Sequence, residues 1–179
     1  MQDSEEVKLD GKFAIAFIEA VADVSPAFED RARTFLEENG ISEPSADEAY
    51  PADAFVNAFE QITDEIGSTT TRKIGIRVIE TVDWPPGIDS VESGFDVLNE
   101  THAEVYGDAP ESIIGRYRFE KTGDREARGA VTENFPYPRA CIEGLFEGML
   151  EEFTSDSVFP NVSETDARDD EKYAFELSW

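Results

Sequence analysis

The spacing of apolar residues divides the chain into two halves. Over residues 11–106 apolar side chains recur every three or four positions, the period of helices with one buried face. Asn39-Gly40 and Gly67 follow such runs and are typical of helix ends. Over residues 107–179 apolar and polar residues alternate in several short segments, which is the period of strands. The pattern predicts an α+β fold in which a mainly helical half packs on a small antiparallel sheet.

One stretch of the helical half fits both periods. Ile74, Ile76 and Val78 alternate as in a strand, whereas Ile74, Val78 and Val82 also fit a helix. We favour a helix over residues 72–82, ended by the Trp84-Pro85-Pro86-Gly87 segment. Residues 41–50 are polar and are predicted to form a loop before the next helix.

The second half predicts the element order β-β-α-β-β. Alternation on both sides of Thr122-Gly123-Asp124 indicates a hairpin, and a helix with an apolar face follows Pro136-Tyr137-Pro138. Two further strands are predicted at residues 157–163 and 173–179, joined by a turn over 164–172. No linker separates the halves, so we expect one domain over residues 1–179, with a helical half at 11–106 and a β-β-α-β-β half at 107–179.

His102 is the only histidine, and it lies in an apolar stripe. The stripe runs in steps of three and four through Ile88, Val91, Phe95, Leu98, His102 and Val105. These positions share the helix face that meets the core, so a polar ring replaces the expected leucine. Its nitrogens then need a hydrogen-bond acceptor, a metal or a cofactor.

Two glycines lie four residues apart in the predicted second-half helix. Gly144 and Gly148 form a strip without side chains on one helix face. Each costs roughly 1 kcal/mol relative to alanine in a helix interior, so the pair needs a reason. Close packing against a neighbouring element is one reason, and room for a flat ligand is the other. Both predict a short distance to the neighbouring element.

The charge of the chain is extreme. The sequence has 41 Asp and Glu against 15 Lys and Arg, a formal net charge of −26. Such an acidic surface is typical of proteins from the cytoplasm of extreme halophiles, where concentrated salt screens the repulsion between the carboxylates. We therefore expect a halophilic archaeal origin. Nucleic-acid binding is disfavoured, since phosphate contacts need clustered Lys and Arg.

The polar N-terminus predicts no signal peptide, and the lack of a long apolar run predicts no membrane span. The single cysteine, Cys141, excludes an intrachain disulfide.

The order of these features resembles that of the haem-NO-binding (H-NOX) domains and of the 4-vinyl-reductase-like ligand-sensing domains. It consists of the His102 helix, a two-stranded segment, Pro136-Tyr137-Pro138, the Gly144/Gly148 helix and the aromatic ending at 173–179. The resemblance implies a ligand-sensing domain. In H-NOX domains the histidine at the place of His102 is the proximal haem ligand, and a Tyr-x-Ser-x-Arg motif holds the haem propionates.

That propionate motif is absent from this chain. Alignment of the glycine pairs puts Thr132, Asn134 and Pro136 at its three positions. Without the arginine the haem carboxylates lose a bidentate partner, unless one of three other arginines replaces it. These are Arg116, Arg118 and Arg139.

No motif for an enzyme is present. The sequence lacks phosphate-binding glycine loops, nucleophile elbows and His-rich metal spacings. A nucleophilic dyad of Cys141 and His102 is geometrically conceivable, because both side chains could face the space between their helices. We therefore predict a non-enzymatic cytoplasmic sensor without a cofactor, acting on a protein partner or through a homodimer, with a small apolar ligand between the His102 helix, the Gly144/Gly148 helix and the sheet. The predicted ligand-binding residues are Phe95, Leu98, His102, Tyr117, Phe119, Gly144, Leu145, Gly148 and Met149. The alternatives are a haem gas sensor with His102 as the proximal and only metal ligand, and a ligand-free adaptor that acts by dimerisation.

Overall fold

The computed structural model describes residues 7–154 and 159–179. The first half contains β1 (Lys8–Asp10), α1 (Gly11–Val24), α2 (Pro26–Glu38), β2 (Ala49–Pro51), α3 (Ala52–Ile66), α4 (Ser68–Glu80) and α5 (Val91–Val105). The second half contains α6 (Glu111–Ile114), β3 (Tyr117–Gly123), β4 (Glu126–Thr132), α7 (Arg139–Phe153), β5 (Asn161–Thr165) and β6 (Glu171–Ser178). The predicted α+β class is confirmed, and the ambiguous 72–82 stretch is helical.

The main sheet has four antiparallel strands in the order β3-β4-β6-β5. Helix α7 crosses it: a Cβ built on Gly129 of β4 would lie 2.9 Å from the Phe146 ring of α7. Phe146 also meets the ring of Phe175 on β6 edge-on, at 5.6 Å between centroids. Glycine at position 129 therefore lets the helix approach the sheet closely.

Helix α4 lies on the other side of α7, at backbone contact distance. A Cβ built on Gly75 would lie 2.3 Å from the Cys141 carbonyl oxygen, and one on Gly144 would lie 1.9 Å from that of Arg72. Both distances are shorter than any real contact, so each helix needs its glycine for the other to fit. The layers therefore run from α4 through α7 to the sheet.

Local signals fix several helix ends. The Asp10 side chain accepts a hydrogen bond of 2.8 Å from the Lys12 amide at the start of α1, and Ser90 and Ser93 form a reciprocal cap at the start of α5. Gly67 ends α3 with φ of 80°, a conformation that L side chains avoid.

Four features differ from the sequence expectations. Strands β1 and β2 pair with each other, so the predicted loop 41–50 ends in a strand. Helix α6 lies in a stretch without clear period, and β5 covers Asn161–Thr165 rather than 157–163, of which 157 and 158 lie outside the described residues. β5 and β6 also extend into the predicted turn, leaving 166–170 between them. No described helix has the length and apolar character needed to cross a membrane.

Candidate functional site

Asn99 fixes the helix that carries His102 to the sheet. Its side-chain oxygen accepts a hydrogen bond of 2.8 Å from the Tyr117 amide, and its nitrogen donates one of 3.1 Å to the Tyr117 carbonyl. Asn99 lies three residues before His102, so the two side chains leave α5 in similar directions. This pair of bonds sets the position of the imidazole relative to β3.

The His102 ring is buried, with 6% of its surface exposed. Nε2 lies 3.0 Å from the carbonyl oxygen of Ile114, the last residue of α6. A carbonyl only accepts, so Nε2 carries the hydrogen and Nδ1 carries the lone pair. Burial lowers the pKa of His102 to about 4, against the smaller opposing effect of the Ile114 carbonyl. The imidazole is therefore neutral at pH 7.

Four aromatic rings surround the imidazole. The Phe135 ring stacks on it with centroids 4.7 Å apart and planes inclined by 16°. Tyr106, Tyr117 and Tyr137 meet it edge-on, with centroids at 5.0, 5.6 and 5.8 Å. Tyr137 also contacts Phe13 and Phe59 at 5.9 Å each, so it bridges the His102 region and the N-terminal helices.

A cavity of about 440 Å³ opens beside His102, between α1, α4, α5 and α7. An engineered cavity of roughly 150 Å³ suffices for benzene, so this volume holds a larger molecule. Most of its walls are apolar or aromatic, and the polar residues outside the charged rim are Thr81, Thr101, His102, Tyr117, Tyr137 and Cys141. The walls are formed by Phe13, Ala16, Phe17, Phe59, Val78, Thr81, Val82, Leu98, Thr101, His102, Val105, Tyr117, Tyr137, Cys141 and Leu145.

The rim of this cavity is acidic. Among the described residues that line the cavity, Lys12 is the one basic side chain, and it lies among Asp10, Asp83 and Glu104. Three carboxylates and one ammonium group leave a local charge of about −2, inside a chain that is itself strongly negative. The potential at the rim repels anions and attracts cations.

Cys141 lies on the cavity wall and is inert as a nucleophile. Burial raises the pKa of its thiol to about 12, while burial lowers that of His102 to about 4. An activated dyad needs the opposite arrangement, a thiolate beside an imidazolium. The pair is therefore a neutral thiol and a neutral ring, which argues against nucleophilic chemistry.

The structure brings together four of the nine residues predicted from the sequence: Leu98, His102, Tyr117 and Leu145 line the cavity. The ring centroids of Phe95 and Phe119 lie 5.0 Å apart, and both residues line a separate cavity over the sheet. Met149 packs against α5 at Gly94, where a built Cβ would lie 2.7 Å from the methionine methyl group.

The prediction that Gly144 and Gly148 leave room for a ligand beside His102 is wrong. Gly144 faces the Arg72 backbone, and a Cβ on Gly148 would lie 3.0 Å from the Ile79 side chain, so both face α4. The short distance to a neighbour is present, but close helix packing accounts for it. The glycine strip does not open space beside the imidazole.

Sequence reasoning missed the aromatic part of the site. Tyr137 stands between two prolines that signalled only a helix start, and Tyr106 follows His102 by one helical turn. Phe13, Phe17 and Phe59 belong to predicted core faces, and nothing local marks them as cavity walls. The position of Tyr106 is the one signal that the spacing could have given.

Searches among known proteins returned structural likeness alone. No family model and no curated protein matches the chain. A solved structure described as probing haem distortion in the H-NOX family is 16% identical, with 96% of this chain and 95% of that chain covered and a TM-score of 0.70.

Two further solved structures agree with it. An oxygen-binding H-NOX domain related to soluble guanylate cyclases, in its oxygen complex, is 14% identical over 95% of this chain and 94% of that chain, with a TM-score of 0.66. A mutant of the T. tengcongensis H-NOX domain is 16% identical over 94% of this chain and 95% of that chain, with a TM-score of 0.65. Over nearly its whole length, this chain therefore has the fold of the H-NOX domains.

Proposed function

We propose that this chain is a ligand-sensing domain and that its ligand binds in the cavity beside His102. The observation that carries the proposal is the cavity itself, about 440 Å³ of largely apolar space against a buried neutral imidazole. Ligand sites are typically concave, mostly apolar and equipped with a few polar groups. The fold shared with solved domains named for haem and oxygen binding supports a ligand-binding role.

Haem is the ligand that the fold comparisons favour over a haem-free alternative, because the matched structures are described by haem and oxygen binding. His102 suits an axial ligand in one respect. A metal-binding histidine usually donates its other N–H to a carbonyl or carboxylate, as His102 does to Ile114. When bound, haem would supply a ferrous or ferric centre for a diatomic gas.

The cavity does not fit the two haem carboxylates. Lys12 is their one cationic neighbour, opposed by Asp10, Asp83 and Glu104. The three arginines that could replace the missing motif pair elsewhere: Arg116 with Glu111, Arg118 with Asp170 and Arg139 with Glu164. None of them lines the cavity. We therefore propose a small ligand without carboxylates, and keep haem as the tested alternative.

A route from the cavity to the surface supports a sensing role. Tyr117 lines the cavity and is bonded through its backbone to Asn99. His102 joins the cavity to Ile114, which lies next to Ile113, a side chain that is 53% exposed. A ligand that shifts His102 therefore moves α6, and a protein partner or a second copy of the chain reads that surface.

The test uses an uncharged fluorescent probe, N-phenyl-1-naphthylamine, and haem in separate titrations. Ala16 lines the cavity and Ala22 lies on the same helix outside it, so Ala16→Trp and Ala22→Trp form a matched pair. We expect probe binding that Ala16→Trp abolishes and Ala22→Trp leaves unchanged. A Soret band that disappears in His102→Ala would instead establish haem. If neither haem nor the probe binds, the proposed function is wrong.

A further inference from the structure

Three buried tyrosines surround His102. Tyr106, Tyr117 and Tyr137 are each less than 5% exposed. Among residues 7–154 and 159–179 no hydrogen bond reaches the Tyr117 or Tyr137 hydroxyl, and the Tyr106 hydroxyl is buried without one. The Tyr106 and Tyr137 hydroxyls lie close to each other.

The Tyr106 hydroxyl is costly for a protein that binds nothing, because it is the one of the three that is fully enclosed without a partner. A buried polar group without a partner costs about 1–3 kcal/mol. Phenylalanine would fill the same space without that cost, and this chain uses it at 13 positions. Tyr50 behaves differently: its hydroxyl accepts a bond of 2.9 Å from the Ser45 amide and donates one of 2.7 Å to Glu48.

Two of the three tyrosines line the cavity beside His102. Tyr117 and Tyr137 both line it, together with the Cys141 thiol and His102. The pKa of Tyr137 is raised mainly by burial and further by its neighbours Tyr106, Tyr117 and Cys141, which puts these four groups close together. Polar groups therefore gather around His102, beside a largely apolar space where a ligand or water can satisfy them.

We propose that the ligand is an uncharged, largely apolar molecule with a hydroxyl or carbonyl group, held by the hydroxyls of Tyr117 and Tyr137. This inference rests on the proposed function, since it names the ligand class of the same cavity. Two features select against acids: the carboxylates at the rim, and the lack of a cation among the described interior residues to pair a buried anion. The neutral hydroxyls and thiol select for a group that can donate and accept hydrogen bonds.

Three naphthalene derivatives separate these contributions. Naphthalene, 2-naphthol and 2-naphthoate share the apolar body and differ in the polar group, and each can be titrated by calorimetry in molar KCl. We expect 2-naphthol to bind roughly three- to tenfold more tightly than naphthalene, the value of about one hydrogen bond. We expect 2-naphthoate to bind at least about tenfold more weakly than 2-naphthol, because a buried unpaired carboxylate is strongly disfavoured.

Matched variants identify the contacting hydroxyls. Tyr117→Phe and Tyr137→Phe keep the ring and remove the hydroxyl, so each should weaken 2-naphthol roughly three- to tenfold and leave naphthalene unchanged. Tyr173→Phe, on β6 outside the cavity, is the control and should change neither. Equal affinities for naphthalene and 2-naphthol would overturn the role of the hydroxyls, although the cavity would still be a ligand site.

Tight binding of 2-naphthoate or of haem would overturn the uncharged class and leave a sensor with another ligand. Failure of all these molecules, together with the naphthylamine probe, would remove the proposed function itself. The two failures are therefore distinguishable.

Discussion

The Nε2 atom of His102 lies 3.0 Å from the carbonyl oxygen of Ile114, which joins helix α5 to the short helix α6. Ile114 ends α6, so its carbonyl has no partner within the helix. The imidazole supplies that partner and satisfies its own buried N–H in the same bond. This contact accounts for a polar ring in an apolar stripe without a metal.

Acid should destabilise the fold through His102. Its pKa falls from about 6.5 in the unfolded chain to about 4 in the folded protein, so the unfolded state binds the extra proton between these values. The contribution of His102 to the free energy of unfolding is therefore retained above pH 6.5. It is lost as the pH falls towards 4, and the loss amounts to about 3 kcal/mol. Chemical denaturation between pH 7 and 4.5 measures it.

His102→Gln is the control for that titration, because its amide can donate to Ile114 but does not titrate. The carboxylates titrate equally in both proteins, so the difference between their pH profiles isolates the imidazole. Parallel profiles would contradict the prediction.

Gly144→Ala should be far more damaging than Gly148→Ala. The new methyl group at 144 would lie 1.9 Å from the Arg72 carbonyl oxygen, and this backbone cannot move without separating α4 from α7. That at 148 would lie 3.0 Å from the Ile79 Cβ atom, so a shift of a few tenths of an ångström accommodates it. We expect the free energy of unfolding to fall by about 3 kcal/mol or more in Gly144→Ala and by about 1 kcal/mol or less in Gly148→Ala. Thermal unfolding of both variants provides the comparison, and equal losses would contradict this packing.

Glu171→Gln should destabilise the sheet strongly. Its carboxylate is 2% exposed and pairs with Arg128, whose side chain is 14% exposed. Removal of the charge leaves a buried guanidinium unpaired, at about 3 kcal/mol. The adjacent Asp170 pairs with Arg118 at an exposed position, so Asp170→Asn should change the free energy of unfolding by less than about 1 kcal/mol. Denaturant unfolding of the two variants tests the contrast.

Tyr106→Phe should stabilise the ligand-free protein. The hydroxyl that it removes is buried without a partner, so about 1 kcal/mol or more is recovered. Tyr50→Phe, which deletes a hydroxyl with two partners, should lose about 1 kcal/mol. Urea denaturation should show changes of opposite sign in the free energy of unfolding of the two variants. A loss of stability in Tyr106→Phe would indicate that water already satisfies the hydroxyl.

Salt should raise the stability of the chain. A net charge of −26 repels itself, and the screening length falls from about 10 Å at 0.1 M salt to about 3 Å at 1 M. We expect the melting temperature to rise steeply with KCl up to about 1 M and more slowly beyond it. A melting temperature that is independent of KCl would remove the argument for a halophilic origin, which stays a prediction.

The stripe from Val91 to Val105 shows how far local pattern reaches. Its three-four spacing predicts helix α5 and places His102 on the buried face, and both are confirmed. Spacing cannot name the partner of the ring, because the Ile114 carbonyl is a backbone group that every residue type possesses. The pairing of Leu9 with Tyr50 is invisible for a similar reason, since two three-residue strands leave no readable period.

The sequence by itself determined the α+β class, most helix and strand positions, the need of His102 for a partner and the need of Gly144 for a close neighbour. Periodicity and residue size act over a few positions, so these follow from local order. Only the tertiary structure decided that Gly144 faces α4, that Phe95 and Phe119 line a different cavity from His102, and that Tyr117 and Tyr137 line the cavity beside His102. Those facts depend on which elements meet, and that is set by packing between residues distant along the chain.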